Sequence, residues 1–137
     1  MITSEDSRCN ATRKRHKYGA IPTTVDGIRF ASKAEARRYG ELKLLEKAGE
    51  ICDLVLQPSY TLQNAYTHLT EGKQRELRYV ADFEYVEKGA PTVYVCSGVT
   101  ERQRTVEDVK GMATPVFKLK RKLFLYKYPH LTLRVIK

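Results

Sequence analysis

Two aspartates and a lysine could carry out chemistry in this chain. Asp82 lies within Tyr79-Val80-Ala81-Asp82-Phe83, a segment otherwise apolar, and Asp108 and Lys110 lie within Val106-Glu107-Asp108-Val109-Lys110. Residues two apart on a strand share a face, so Asp108 and Lys110 are expected to project together. Two carboxylates can hold a hard divalent cation such as magnesium, which takes oxygen ligands and keeps several waters. Such a cation polarises a phosphate and acidifies a bound water, and a lysine beside it orients that water and stabilises the charge building on the phosphate. The set suits hydrolysis of a phosphodiester. Each part also has a plainer reading: Asp82 as a strand acid paired with an arginine, and Asp108-x-Lys110 as a same-face ion pair of little worth.

Glu35 is a fourth candidate, with two readings left open. Ser32-Lys33-Ala34-Glu35 has the capping-box pattern, serine at the N-cap and glutamate three residues on. Glu35 also shares a helical face with Tyr39 and Leu42, where a carboxylate is costly unless paired or bound to a metal.

These residues need elements to position them. Val25-Asp26-Gly27-Ile28-Arg29-Phe30 predicts a short hairpin turning at Asp-Gly. The capping box starts a helix with Tyr39, Leu42, Leu45 and Ala48 as its apolar stripe, ended by Gly49. Glu50 to Gln57 reads as a strand stopped by Pro58, Tyr60 to Tyr66 as a second, His68 to Gln74 as a polar loop, and Glu76 to Glu87 as one long strand. Lys88-Gly89-Ala90-Pro91 is a turn, Thr92 to Cys96 a short strand broken at Ser97-Gly98, and Thr105 to Lys110 another strand. Thr114-Pro115 opens a second helix, with Val116, Leu119, Leu123 and Tyr126 as the expected core stripe, and Leu131 to Ile136 is a final strand. The order predicts an α/β or α+β core with a mixed β-sheet flanked by helices. Residues 1 to 17 are expected to form a basic tail and residues 18 to 137 a single domain.

Lysine and arginine number 25 against 16 acids, a net charge of +9 on 137 residues. A field of that sign favours polyanionic partners, because each neutralised phosphate releases counterions. Arg13, Lys14, Arg15 and Lys17 read as a solvated run that can also serve as a phosphate-binding arm. Cys9, Cys52 and Cys96 are widely spaced, and His16, His68 and His130 complete no zinc pattern, so reduced thiols in a cytoplasmic setting are expected. The N-terminus has no apolar run of the signal-peptide kind, and no segment approaches membrane-span length, so no membrane partner is expected.

The pattern resembles the PD-(D/E)xK nuclease superfamily, with its restriction-endonuclease-like fold. More narrowly, it resembles a small phage-encoded branch catalogued as a domain of unknown function. The resemblance rests on Val25 to Phe30, Ser32 to Ala36, Leu56-Gln57-Pro58, Tyr79 to Phe83, Glu107 to Gly111 and Leu119 to Phe124, in that order, from about residue 17 to the C-terminus. It implies a helix before a β-meander, with a second helix and strand closing the sheet. It implies that Asp82 and Asp108 bind Mg²⁺ or Mn²⁺, that Lys110 is the catalytic lysine, and that the helix-borne Glu35 aids metal binding. Gln57 is implied as a polar residue near the metal. Lys118, Lys120, Arg121 and Lys122 are DNA-contact candidates.

Ala81 stands where the superfamily's name places proline. Glu107 adjoins Asp108, and a bulge in the strand would make Glu107 the ligand instead. Val93 to Arg104 is longer than a simple hairpin and reads as an extra turn or a substrate loop. The function expected is metal-dependent DNA endonuclease action, on branched recombination intermediates if the phage setting holds, in the host cytoplasm. A resolvase making paired cuts would be a homodimer. The alternatives are a non-catalytic DNA-binding module that kept the fold, and an RNA-directed nuclease, for which no aromatic-rich RNA motif is visible.

Overall fold

The computed structural model describes residues 20–95 and 97–137. The tail run Arg13, Lys14, Arg15 and Lys17, together with Cys9 and Cys96, lies outside the described residues. The chain opens with a hairpin of β1 (Thr23–Val25) and β2 (Ile28–Phe30), in register Val25 with Ile28. Its turn is Asp26-Gly27, both at positive φ (52° and 77°), the left-handed geometry that Asp-Gly tolerates.

Helix α1 (Lys33–Lys47) follows. Ser32 caps it by accepting from the Glu35 N–H. At its far end Gly49 sits at φ 74°, and the Gly49 and Glu50 amides donate back to the carbonyls of Glu46 and Leu45. That paired closure is a Schellman motif, and it needs a left-handed residue where the glycine stands. The helix buries Ala36, Tyr39 and Leu42, while Leu45 and Ala48 at the end of the expected stripe stay more exposed.

The strands then divide between two sheets. β3 (Ile51–Leu56) belongs to the first and β4 (Ser59–Gln63) to the second, with the chain turning at Gln57-Pro58. β5 (Tyr66–His68) and β6 (Gly72–Gln74) form a hairpin, so the segment expected as a polar loop is half strand. β7 (Leu77–Val80) returns along β4, and β8 (Phe83–Glu87) lies between β3 and the later strand β11. The long strand expected from Glu76 to Glu87 is therefore broken at Ala81-Asp82, where the chain leaves one sheet for the other. The Ala81 amide donates to the Pro58 carbonyl, the Asp82 amide to that of Glu107, and the Gln57 amide to that of Asp82. Both strand pairs thus change sheet at one level, and the corner is held by backbone hydrogen bonds.

β9 (Thr92–Tyr94) and β10 (Thr100–Arg102) make a separate hairpin, which accounts for the length between Val93 and Arg104. It leaves the sheet where β8 ends and β11 (Arg104–Val109) begins, the opposite end from Asp82 and Lys110. A substrate loop at the acids is therefore not its position. Helix α2 (Pro115–Lys127) and β12 (Thr132–Ile136) complete the chain, with β12 parallel to β11 and Asp108 opposite Val135. The main sheet, in order β12-β11-β8-β3, mixes parallel and antiparallel pairs. The fold is α+β, as the pattern of elements predicts.

Two apolar clusters hold the helices. Phe30, Tyr39, Leu42, Ile51, Phe83 and Tyr85 join α1 to one face of the sheet. On the other side, Phe124 meets the rings of Tyr60, Tyr79 and Tyr128 at 4.9, 5.2 and 5.3 Å. A large side chain so buried is worth about 1.5–3 kcal/mol. The inward face of α2 is thus Phe117 and Phe124, continued by Tyr128. The expected stripe of Val116, Leu119, Leu123 and Tyr126 faces outward instead. The larger aromatic rings on the adjoining face bury more area and set the helix rotation.

Candidate active site

The pleat of β11 sorts its acids. Val106 and Asp108 face the α2 side, while Glu107 and Val109 face α1. Asp108 is 1% exposed. Its Oδ2 accepts a hydrogen bond from the Tyr79 hydroxyl at 2.6 Å. Its Oδ1 is buried without an aligned hydrogen bond, although Lys110 Nζ stands 2.9 Å away as an ion pair. Strand parity therefore brings Asp108 and Lys110 together, as their spacing predicts. Lys110 also lies over the Phe117 ring, 5.8 Å from its centroid. Burial is the largest influence on the Lys110 ammonium and pulls its pKa down, but Asp108, Asp82 and Glu35 together outweigh it and the net shift is upward. Lys110 is a fixed cation here, not a proton acceptor.

Asp82 occupies the corner between β7 and β8. Its Oδ2 accepts from the Val109 amide at 2.6 Å, which ties the corner to the end of β11. Burial pushes its carboxyl up from 3.8 to about 7. The Val109 hydrogen bond opposes that rise, the charges of Asp108 and Glu35 add to it, and Lys110 lowers it. An acid so placed favours any cation that would share its charge.

Glu35 performs the cap. Its Oε1 accepts from the Ser32 hydroxyl and its Oε2 from the Ala31 amide, each at 3.1 Å. It nonetheless borders both cavities of the region. A small cavity of about 100 Å³ is lined by Glu35, Gln57 and Asp82, among others. A larger groove of about 910 Å³ has Glu35, Asp108 and Lys110 in its wall, with Arg78 and Lys120 bringing positive charge. Glu35 thus stands between the two aspartates, facing the site while engaged at the helix end. Gln57, at the other strand corner, holds φ 49°, a left-handed geometry rare for this residue type. Such backbone strain collects where neighbouring structure over-determines a position.

Glu107 has a different setting. Its carboxylate takes two hydrogen bonds from Arg38 at 2.8 Å and one from the Tyr85 hydroxyl at 2.6 Å. Burial would raise its pKa and is the largest single influence, but Arg38 and Tyr85 prevail and hold it below 4.5. The regular strand keeps it on the α1 face, away from Asp108.

Lys118, Arg121 and Lys122 are exposed on α2. Lys120 is the lysine of that helix that lines the groove, and it donates to the Arg78 carbonyl at 2.9 Å. Tyr79, Arg78 and Arg38 were not singled out by sequence reasoning. Tyr79 was within reach of it, since a buried aspartate requires a donor and the tyrosine belongs to the same short motif as Asp82.

A metal fits this donor set in part. Asp108 offers a buried oxygen without an aligned donor, and Asp82 a carboxyl that burial alone leaves poorly ionised. Among the described residues, however, no three His, Cys, Asp or Glu side chains gather as a metal-binding group. The two aspartates are the residues that would hold a cation, and Glu35 would join them on releasing its cap. Among the described residues no helix is long and apolar enough to cross a membrane.

Fold and site together define an α+β protein with a buried Asp108 and its ion-paired Lys110 in the wall of a groove, and a partly buried Asp82 at the adjoining sheet corner, lining a smaller cavity. Residues 15–137 match the family described as protein of unknown function (DUF1064), and the chain belongs to it. No curated protein and no solved structure matches the chain.

Proposed function

We propose that the protein is a metal-dependent nuclease of the PD-(D/E)xK kind, hydrolysing DNA phosphodiesters at Asp82, Asp108 and Lys110. The observation that carries this reading is Asp108: a carboxylate fixed on one oxygen by Tyr79, its other oxygen buried beside Lys110 at the edge of a groove. The succession of α1, the β3-β8-β11 meander, α2 and the parallel β12 also agrees with the arrangement that the superfamily resemblance implies.

A Mg²⁺ or Mn²⁺ ion held by the two aspartates would supply Lewis acidity and an acidified water. The chain's own residues do the rest. Tyr79 keeps the Asp108 carboxylate from rotating. The Val109 amide fixes Asp82 against the end of β11. Lys110, charged throughout the neutral range, stabilises negative charge building on the phosphate. Arg78 and Lys120 add positive charge to the groove that would receive the nucleic acid backbone.

The test is cleavage of plasmid, linear, single-stranded and branched DNA with Mg²⁺ or Mn²⁺. Metal-dependent cleavage that vanishes in Asp108→Asn supports the reading. Intact DNA in every case, with the metal present and the protein folded, refutes it. A second reading, a DNA-binding module without catalysis, is favoured by one observation: Glu35 is held in its cap, and among the described residues no third acid joins the pair. It predicts binding with a steep salt dependence and no response to metal.

A further inference from the structure

Helix α2 carries two apolar faces, and the core uses one. Phe117 and Phe124 go inward. Val116, Leu119, Leu123 and Tyr126 point outward, with exposures of 64%, 58%, 36% and 87%. Their spacing of three, four and three residues is the a/d repeat of a helix–helix seam. At 1.5 Å per residue the stripe runs about 15 Å along the helix. Met112, also exposed, extends it beyond the N-terminal end toward the groove. Four exposed apolar side chains on one helical face differ from the singly scattered exposure normal for a protein surface.

Charge decides what fits it. The helix Pro115–Lys127 contains no acid. At 100° per residue, Lys122 borders the stripe on one side with Lys118 beyond it, and Lys120 and Lys127 lie on the other, their ammonium groups donating to the Arg78 and Thr61 carbonyls. A second copy of α2 laid against it would bring lysine rows together on both flanks, with no carboxylate to relieve them, and like charges at flanking positions disfavour such pairing. A nucleic acid backbone would meet the lysines but leave the apolar stripe against charged phosphates.

We propose that the outer face of α2 docks an amphipathic helix of a partner protein whose apolar seam is flanked by aspartate and glutamate. The surface adjoins the groove, whose wall shares Met112, Val116 and Lys120, but the proposal does not depend on the catalytic reading. Tyr126 and Leu119 are its anchors, a large aromatic and an aliphatic side chain already held on a rigid helix.

The probe is a synthetic peptide of about three heptads with Leu at a and d and Glu at e and g, which its own charge keeps from self-pairing. Fluorescence anisotropy with the full chain is expected to show saturable binding. The double variant Leu119→Glu, Leu123→Glu should weaken it roughly tenfold or more. The variant Lys118→Glu, Lys122→Glu should weaken binding of the Glu-flanked peptide by reversing the charge of one flank. Circular dichroism checks that the variants remain folded, which their exposed positions favour.

The proposal is overturned if the peptide does not bind. It is also overturned if a Glu peptide lacking the leucines binds as well. A wild-type dimer in sedimentation that Leu119→Glu dissociates would assign the face to a second copy. Binding to phosphatidylglycerol vesicles that depends on Leu119, without peptide binding, would assign it to a lipid surface.

Discussion

Glu107 and Asp108 are neighbours in sequence, both shut off from solvent, and they face opposite sides of β11. Glu107 has Arg38 gripping both oxygens and Tyr85 on one of them. Asp108 has Tyr79 on one oxygen and only the unaligned ammonium of Lys110 beside the other. The first arrangement joins α1 to the sheet and leaves nothing over. The second sets its acid beside a partly exposed lysine at the edge of a groove. A buried acid therefore shows its role by the partners of its oxygens, more than by burial itself.

The largest effects should separate these neighbours. Asp108→Asn is expected to abolish metal-dependent cleavage while leaving the melting temperature unchanged or higher, because it removes charge from a crowded acidic site. Lys110→Ala should lower the cleavage rate by about 10²–10³-fold, the usual loss when one stabiliser of developing charge is removed. Glu107→Ala should act on stability instead. Arg38 keeps Glu41 as a partner and is partly exposed, so losing its two bonds to Glu107 and that of Tyr85 should cost about 3 kcal/mol, the low end of such losses. Chemical denaturation and a cleavage assay on the same preparations would test the contrast. A stable but inactive Glu107→Ala, with an active Asp108→Asn, would invert it.

What the sequence revealed follows from range. The Asp26-Gly27 hairpin, the Ser32 cap and the Gly49 stop are encoded by neighbouring residues, and all three form as their local chemistry requires. Strand parity likewise places Asp108 with Lys110 and turns Glu107 away. The strand break at Ala81-Asp82 had no such signal. Leu77 through Val86 holds no glycine or proline and alternates apolar with polar residues much as one strand would, and only the separate partners β4 and β11 divide it. The α2 stripe misled for a related reason. Two helical faces were apolar, and the competition between them was settled by Tyr60 and Tyr79, which are remote in sequence from α2. Arg38 lies 69 residues from Glu107, so their pairing had no local trace. A buried glutamate on the opposite strand face from Asp108 nevertheless calls for a cation, which the structure supplies as Arg38.

The acids also differ in how pH should act through them. Glu107 is held below 4.5, so the stability it contributes is present above that ordinary value and lost as pH falls through its lowered one. Asp82 is raised from 3.8 to about 7, so its contribution is complete below 3.8 and lost as pH rises through 7. In the presence of a chelator, the melting temperature should decline from pH 5 to 8, and Asp82→Asn should flatten that decline. Glu107→Gln should flatten the acid side instead. Magnesium should raise the melting temperature more at pH 8 than at pH 5, because its carboxylate ligands must be deprotonated. A metal-free melting temperature that climbs between pH 5 and 8, with no change in Asp82→Asn, would remove Asp82 from the comparison.

Glu35 gives the smallest and most discriminating effect, because it lies between the two kinds of acid. Like Glu107 it has both oxygens occupied, and like Asp108 it borders the groove. Its cap is worth about 1 kcal/mol, the usual scale for an N-terminal capping contact. Glutamine preserves a capping box while removing the charge. Glu35→Gln should therefore melt within a degree or two of the wild type, while Glu35→Ala melts lower. If Glu35 also serves the metal, Glu35→Gln should bind Mn²⁺ roughly tenfold more weakly, the lower end of the loss for a group supporting a metal site. Calorimetry with Mn²⁺ alone measures this without requiring turnover. Equal Mn²⁺ affinity in wild type and Glu35→Gln, beside a lowered melting temperature in Glu35→Ala, would assign Glu35 to the helix end and leave a site of two aspartates.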